Sequence, residues 1–182
     1  YLLKEDTLLL ESDIIFEDSV LNSLTDDPRD SLALAAKYES WMDGTCLVIS
    51  DQDDIEDMIP GKKFRFSDTE HYYKTVNLSQ FSQEFSRINY VPFLEAYTKA
   101  LGNNEYYEQV LKVLVTLDDP GIKAKRLDEN QRWYEIDDIQ DLNIAESIFA
   151  PEKERTHLIQ KRFGGYWRYP KMLDFCYLVN SY

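Results

Sequence analysis

Two short acidic segments have the residue types and spacing of a metal site. "ESD" (11–13) and "EIDD" (135–138) each follow a run of apolar residues that is typical of a strand. In open α/β sheets, ligands bind at the carboxyl ends of the strands, so Asp13 and Asp137 would converge if the two strands are neighbours. Mg²⁺ takes one or two carboxylates and fills its other positions with water and phosphate oxygens. This pair is therefore our candidate Mg²⁺ site.

The same acids have a structural interpretation. Asp138 and Asp141 stand three residues apart at the start of an amphipathic stretch, which is the pattern of a helix N-cap with an acid in the first turn. Glu11, Glu17 and Asp18 have the composition of a solvated edge. Composition alone leaves the metal and the helix-capping interpretations open.

An aromatic and acidic stretch is our candidate for binding a small molecule. "KYESWMDGTCL" (37–47) places Trp41, Asp43 and Thr45 around a turn that precedes a predicted strand. An aromatic face beside a carboxylate suits a cationic amine. The alternative is an ordinary turn, in which Gly44 supplies a positive φ and Trp41 packs into the core.

A second aromatic and acidic cluster lies in "NNEYYEQ" (103–109). Tyr107 and Glu108 would complete an amine site there, although aromatic residues at helical spacing belong to the core more often. Lys37 and Lys74 are candidate contacts for an anion, and a solvated lysine is the commoner alternative for each.

The elements that must position these residues alternate between strand and helix. Strands are predicted over residues 7–16, 45–50, 55–59, 72–82, 122–127 and 133–136, and helices over 17–27, 91–101, 104–117 and 137–149. Residues 31–38 fit either, and Ser79 is the predicted N-cap of the helix after the 72–82 strand. This alternation predicts one α/β domain over residues 1–150, followed by a linker and junction segment over 151–182.

Charge and composition exclude several functions. The net charge of −14 repels phosphate backbones, so we expect no nucleic-acid partner. No window approaches the roughly 18 apolar residues of a membrane span, so we expect no membrane partner and a cytoplasmic protein. Cys46 and Cys176 are interpreted as buried free thiols. No G-x-S-x-G motif occurs and neither cysteine has a nearby histidine, which disfavours hydrolase chemistry.

Three segments, in this order, resemble the sugar-nucleotidyltransferase-like family, in the branch that contains phosphocholine and 2-aminoethylphosphonate cytidylyltransferases. "LLLESDIIFEDSVL" is similar to the strand with the first metal aspartate, "YYKTVNLSQFS" to the central strand beneath the acceptor site, and "WYEIDDIQDLNIAE" to the closing E-I-D motif with its acid-capped helix. The resemblance covers about residues 5–149. It implies an α/β fold with a truncated Rossmann-like nucleotidyltransferase sheet flanked by helices.

The resemblance also implies a chemistry. Asp13 and Asp137 match the metal-binding aspartates and would hold Mg²⁺ against the α-phosphate of a nucleoside triphosphate, which we expect to be CTP. A phosphate or phosphonate oxygen of the acceptor would attack in line and release pyrophosphate. No further catalytic residue is implied, because the attacking oxygen is already charged and positioning supplies the rest. The acceptor would lie among Trp41, Asp43, Thr45, Tyr107 and Glu108.

The chain departs from the family pattern in one respect. The family begins with a glycine-rich loop that cradles the triphosphate, and no such segment occurs here. We expect that loop upstream of Tyr1, so that this chain holds the metal and acceptor half of the domain and is inactive alone.

The last segment of the chain suggests a further domain. Residues 151–182 resemble the junction that leads, in bifunctional members, to a pyridoxal-phosphate aminotransferase of fold type I. The alternative function is a non-catalytic module that binds a ligand or docks the adjoining aminotransferase. A truncated sheet with an exposed edge also favours a homodimer.

Overall fold

A computed structural model describes residues 4–102 and 107–155 of the chain. The strands are β1 (Thr7–Leu10), β2 (Ile14–Phe16), β3 (Leu32–Lys37), β4 (Cys46–Ile49), β5 (Ile55–Ile59), β6 (Tyr72–Phe81), β7 (Lys123–Arg126) and β8 (Trp133–Glu135). The helices are α1 (Asp18–Thr25), α2 (Gln83–Phe85), α3 (Val91–Leu101), α4 (Glu108–Leu114) and α5 (Ile139–Phe149), with a π-helical turn over Ser86–Tyr90 and 3₁₀ turns over Gly61–Lys63 and Phe66–His71.

The long strand β6 organises the larger sheet. The strand order is β5-β4-β6-β3-β7, with β1 also paired to β6. β3 and β7 run parallel, whereas β6 is antiparallel to β1, β3 and β4. A separate two-stranded sheet joins β2 and β8 in antiparallel register.

Helices cover both faces of the larger sheet. On one face, Phe81 of β6 packs with Phe85, Val110 and Leu114 of the α2–α4 region. On the other face, α1 contributes Val20 and Leu24, which pack with apolar residues of β3, β6 and β8. The expectation of an α/β fold with a sheet flanked by helices is confirmed.

The edge of β6 is divided between two partner strands. β4 pairs with Tyr72–Lys74 and β1 pairs with Leu78–Phe81, so neither strand covers the segment between them. The β3–β6 register shifts at the same place, since Ala33 lies opposite Ser79 and Ala35 opposite Thr75. Asn77 lies inside this bulge with φ 60°, a left-handed conformation that non-glycine residues seldom adopt. The bulge therefore opens the sheet where polar side chains gather.

Two of the predicted elements were wrong in detail. The predicted 7–16 strand is two strands, because β1 joins the large sheet and β2 the small one, with Glu11–Asp13 between them. Ser79 is not a helix N-cap, because it is buried inside β6 opposite Leu9 and Ala33. The N-cap is Ser82, whose side chain accepts a hydrogen bond from the Phe85 N–H at 3.1 Å.

The structure also bears on the expectations for other segments, within the described residues. The 31–38 segment, left open between strand and helix, contains β3. Cys46 is buried and free, and burial raises the pKa of its thiol to about 11. No helix of the described part of the chain is long and apolar enough to cross a membrane. Cys176 and most of the 151–182 segment lie outside the described residues.

The start of α5 has a complete capping box. The Asp138 carboxylate accepts from the N–H groups of Gln140 and Asp141, and the Asp141 carboxylate accepts from the Asp138 N–H. The two side chains thus satisfy donors that a helix start leaves without partners.

Asp138→Ala should therefore destabilise the protein by about 1 kcal/mol, the usual cost of losing an N-cap. Chemical denaturation measures this as a lower midpoint at an unchanged slope. Gln140→Ala is the matched control, because the cap uses the Gln140 backbone and not its side chain. Equal stability of the Asp138→Ala variant and the unsubstituted protein would contradict the capping role.

Candidate active site

Acidic side chains from two distant segments meet at the end of β8. Carboxylate oxygens of Asp43, Glu135 and Asp137 all lie within 4.8 Å of one another. Glu135 ends β8, Asp137 follows it by two residues, and Asp43 comes from the turn before β4. Asp43 and Asp137 are exposed and Glu135 is half-buried, so the group faces a cleft that Trp41 and Tyr134 also line.

Asp13 lies close to this group without being part of it. Ile14 pairs with Glu135 in the small sheet, and the Ile136 N–H donates to the Asp13 carbonyl at 2.8 Å. The negative charge of Asp13 is one of those that raise the pKa of Asp137. The strand before Asp13, β1, belongs to the larger sheet, so the expected pairing of the two acid-terminated strands is wrong, and it is β2, which follows Asp13, that lies beside β8. Asp13 thus lies in the turn between β1 and β2, and a metal ligand pair of Asp13 and Asp137 stays a prediction.

The electrostatics of the group are those of crowded acids. Loss of hydration is the largest cause that raises the pKa of Asp137, followed by repulsion from Asp43, Asp141 and Asp13. Burial likewise raises the pKa of Glu135, and Lys74 acts against it. A cation bound among these carboxylates would offset their mutual repulsion and so stabilise the charged group.

Lys74 is the buried cation of the site. Its side chain is 2% exposed, and its ammonium lies 3.1 Å from Glu135 Oε2 and 2.9 Å from the Thr75 carbonyl oxygen, to which it donates. The prediction of a solvated Lys74 was wrong. A lysine between aromatic and β-branched residues of a long central strand is the sequence signal for this burial, because a central strand leaves little room for solvated side chains.

The acids of the E-I-D segment divide between two roles. Asp138 and Asp141 cap α5, and Asp141 Oδ2 also accepts from the Asp137 N–H at 3.2 Å. The carboxylate of Asp137 instead belongs to the group that faces the cleft. The helix-capping interpretation is therefore confirmed for Asp138 and Asp141, and the metal interpretation stays a prediction for Asp137.

Trp41 packs against a neighbouring ring and also borders the cleft, and its role in binding an amine stays a prediction. Its ring stacks on Tyr134, with centroids 4.7 Å apart and planes at 14°, and its indole N–H donates to Glu39 at 3.1 Å. The side chain is half-buried and borders the cleft beside Asp43. Gly44 has φ 83°, as a turn requires, and a Cβ there would lie 3.5 Å from the Lys74 ammonium.

The remaining predicted residues lie on the other side of Lys74. The Thr45 hydroxyl donates to Glu108 Oε2 at 3.1 Å. Burial raises the pKa of Glu108, and Lys74 acts against this shift. The pKa of Tyr107 is also raised, first by burial and then by Glu11 and Glu108. The structure thus brings Thr45, Tyr107 and Glu108 together, and the same lysine influences both groups of acids.

Sequence reasoning missed Glu11, Asn77 and Glu135 as site residues. The Asn77 amide donates to Glu11 Oε2 at 2.7 Å and to Glu135 Oε1 at 3.1 Å. An asparagine within a strand-like run was the available signal, because asparagine is rare in strands and tolerates a left-handed backbone. Lys37 is no free anion contact, since it donates to the Glu70 carbonyl and lies over the Tyr73 ring.

Known proteins resemble the chain in sequence and in fold. No family model matches the chain. CMP-5'-(3-aminopropyl)phosphonate synthase from Streptomyces rubellomurinus (strain ATCC 31215) is 29% identical over 169 residues, which is 92% of this chain and 27% of that protein. The chain thus spans about a quarter of the length of this curated relative.

Two solved structures share the fold. CTP:phosphocholine cytidylyltransferase from Streptococcus pneumoniae superposes with a TM-score of 0.59 at 20% identity, over 78% of this chain and 56% of that one. A putative glucose-1-phosphate thymidylyltransferase from Bacillus anthracis gives 0.53 at 10% identity, over 91% and 59%. The resemblance to the nucleotidyltransferase-like family is confirmed. Asp43 precedes β4 of the larger sheet and Asp137 follows β8 of the small one, so both sheets are needed to bring the two aspartates together.

In metal-free protein, Asp137→Asn should raise thermal stability at neutral pH, because it removes a carboxylate that its acidic neighbours repel. A carboxyl whose pKa is raised in the folded state destabilises the fold above its unfolded pKa of about 3.8, so the gain should disappear as the pH falls to about 4. Thermal unfolding with a chelator at several pH values measures this. Asp118→Asn, at an exposed acid outside the group, is the control. A loss of stability at neutral pH would contradict the repulsion.

Proposed function

We propose that this chain carries the metal and acceptor half of a Mg²⁺-dependent cytidylyltransferase. The observation that carries the proposal is the group of Asp43, Glu135 and Asp137, with Asp13 beside it, at the end of β8 in a nucleotidyltransferase-like fold. The reaction transfers CMP from CTP to a phosphonate or phosphate acceptor. The names of the relatives from Streptomyces and Streptococcus, a CMP-phosphonate synthase and a cytidylyltransferase, support this choice of nucleotide and acceptor.

The donor set fits Mg²⁺. Hard divalent cations prefer carboxylate oxygens, and the side chains of Asp13 and Asp137 make no hydrogen bond or ion pair within the described residues. We therefore propose these two as the ligands. When bound, the ion would neutralise charge on the α-phosphate and the departing pyrophosphate.

The chain's own residues then have to hold the acceptor. The acceptor oxyanion attacks the α-phosphorus of CTP, a new P–O bond forms, and the bond to pyrophosphate breaks. No side chain needs to remove a proton from an oxygen that is already charged, so positioning dominates. We propose that the acceptor's ammonium group lies among Trp41, Asp43, Thr45, Tyr107 and Glu108.

The proposed acceptor site has the electrostatics for an ammonium group. Glu108 is a carboxylate whose pKa burial has raised, so an arriving cation stabilises its charged form. Asp43 offers a second carboxylate next to the Trp41 ring.

For the whole protein we propose a bifunctional enzyme. The 151–182 segment would lead into an aminotransferase that binds pyridoxal phosphate, and the much greater length of the Streptomyces relative is compatible with an additional domain. The missing glycine-rich loop would come from another part of the protein, and the 182-residue chain alone would be inactive.

Full-length protein with Mg²⁺ and CTP should release pyrophosphate when an aminoalkylphosphonate is added. Asp137→Asn should lower turnover by about 10²-fold or more, the usual effect of removing charge stabilisation at the reacting phosphate. Asp118→Asn should keep normal turnover. The proposal fails if no pyrophosphate is released with any aminoalkylphosphonate or phosphoamine, or if Asp137→Asn turns over normally.

Glu108→Gln should raise the KM for an amine-bearing acceptor about tenfold, because a neutral amide loses a charge-assisted hydrogen bond to the ammonium. The KM for CTP should stay constant, and an alkylphosphonate without an amine should react equally with both proteins. The amide oxygen of glutamine still accepts from Thr45, so the fold is preserved. An unchanged KM for the amine-bearing acceptor would place the ammonium elsewhere.

A further inference from the structure

Glu135 differs from the other acids of the site because both of its carboxylate oxygens are already engaged. Lys74 approaches Oε2 at 3.1 Å, and the Asn77 amide donates to Oε1 at 3.1 Å. Its side chain is 16% exposed, and the lysine is 2% exposed. A half-buried carboxylate that is already paired and hydrogen-bonded should bind a metal ion only weakly, since coordination would separate it from these partners.

The bulge of β6 places both partners. Lys74 lies where the pairing with β4 ends, and Asn77 lies in the bulge with φ 60°. The left-handed conformation lets the Asn77 amide reach Glu135 on β8 and Glu11, which follows β1. One short segment of β6 therefore fixes the end of β8, two residues before Asp137.

Unlike Glu135, the neighbouring Asp43 and Asp137 have carboxylates that are not engaged by the described residues. Within the part of the chain that the structure describes, the side chains of Asp43 and Asp137 make no hydrogen bond or ion pair, although they lie within 4.8 Å of a Glu135 oxygen. The geometry thus contains three close carboxylates, of which only Glu135 is held by cationic and amide donors.

We propose that Lys74 and Asn77 are positioning residues that withhold Glu135 from the metal, so that the site selects Mg²⁺ over Ca²⁺. This inference rests on the proposed metal site. Mg²⁺ uses one or two carboxylates and keeps its waters, whereas Ca²⁺ takes six to eight oxygen ligands in a flexible cage. With Glu135 withheld and Asp43 assigned to the acceptor's ammonium group, Asp13 and Asp137 give the smaller ligand set. With Glu135 released, a third carboxylate joins them, and the affinity for Ca²⁺ rises more than the affinity for Mg²⁺.

Titration calorimetry of the full-length protein with MgCl₂ and with CaCl₂, without nucleotide, tests this. Lys74→Met should raise the affinity for Ca²⁺ relative to Mg²⁺ by about tenfold or more, because Glu135 becomes available as a ligand. Asn77→Gly keeps the positive φ and removes the amide's hydrogen bonds to Glu135 and Glu11 while the ion pair with Lys74 remains, so it should shift the ratio in the same direction by less. A ratio within twofold of the unsubstituted protein in Lys74→Met overturns the proposal, and the same result in Asn77→Gly removes Asn77 from it.

A double variant keeps the proposal testable if Lys74→Met alone does not fold. Lys74→Met combined with Glu135→Gln removes both charges and leaves no unpaired buried carboxylate. It should bind Mg²⁺ within about threefold of the unsubstituted protein, because Glu135 is not a ligand, and a loss of tenfold or more would overturn the inference. Asp137→Asn separates the two proposals. If Mg²⁺ still binds to this variant, the proposed metal site is refuted. If Mg²⁺ binding is lost, the metal site is supported, and the variants of Lys74 then decide the proposal on selectivity.

Discussion

Like charges at close range repel, and the end of β8 gathers several of them around one buried lysine. Lys74 pairs with Glu135. It also opposes the rise that burial causes in the pKa of Glu108 and of Asp137. Breaking a buried ion pair by removing one partner typically costs about 3–5 kcal/mol, because the remaining charge is left unpaired in a poorly hydrated place. The small sheet, the bulge in β6 and the turn that carries Asp43 all meet at this pair.

The bulge explains how a regular sheet accommodates so many polar side chains. β4 and β1 pair with separate parts of β6, and the segment between them leaves a gap in the ladder. Within that gap, the Asn77 amide donates to two carboxylates from different segments, those of Glu11 and Glu135. A straight strand would direct alternate residues to one face and could not bring Lys74 and Asn77 to the same glutamate.

The same arrangement joins two groups of residues that are far apart in the sequence. Asp43 and Thr45 flank Gly44, whose backbone lies close to the Lys74 ammonium, so one turn contributes to both groups. Asp43 meets Asp137 on the open side, and Thr45 meets Glu108 on the more buried side. The two groups therefore adjoin, from the exposed aspartates to the half-buried Glu108, and Lys74 is the charge that both groups share.

The sequence by itself determined the α/β class, most strand positions, the α5 cap and the presence of acids at Asp13 and Asp137, because these follow from local periodicity and capping chemistry. It placed the N-cap at Ser79 and joined β1 to β2, because a local pattern does not reveal which sheet a strand enters. Only the tertiary structure decided that Lys74 is buried, that Glu135 is held by Lys74 and Asn77, and that Asp43 lies beside Asp137. These contacts join residues about 60 to 95 positions apart, and their energies depend on burial and distance, which arise only when the sheets assemble.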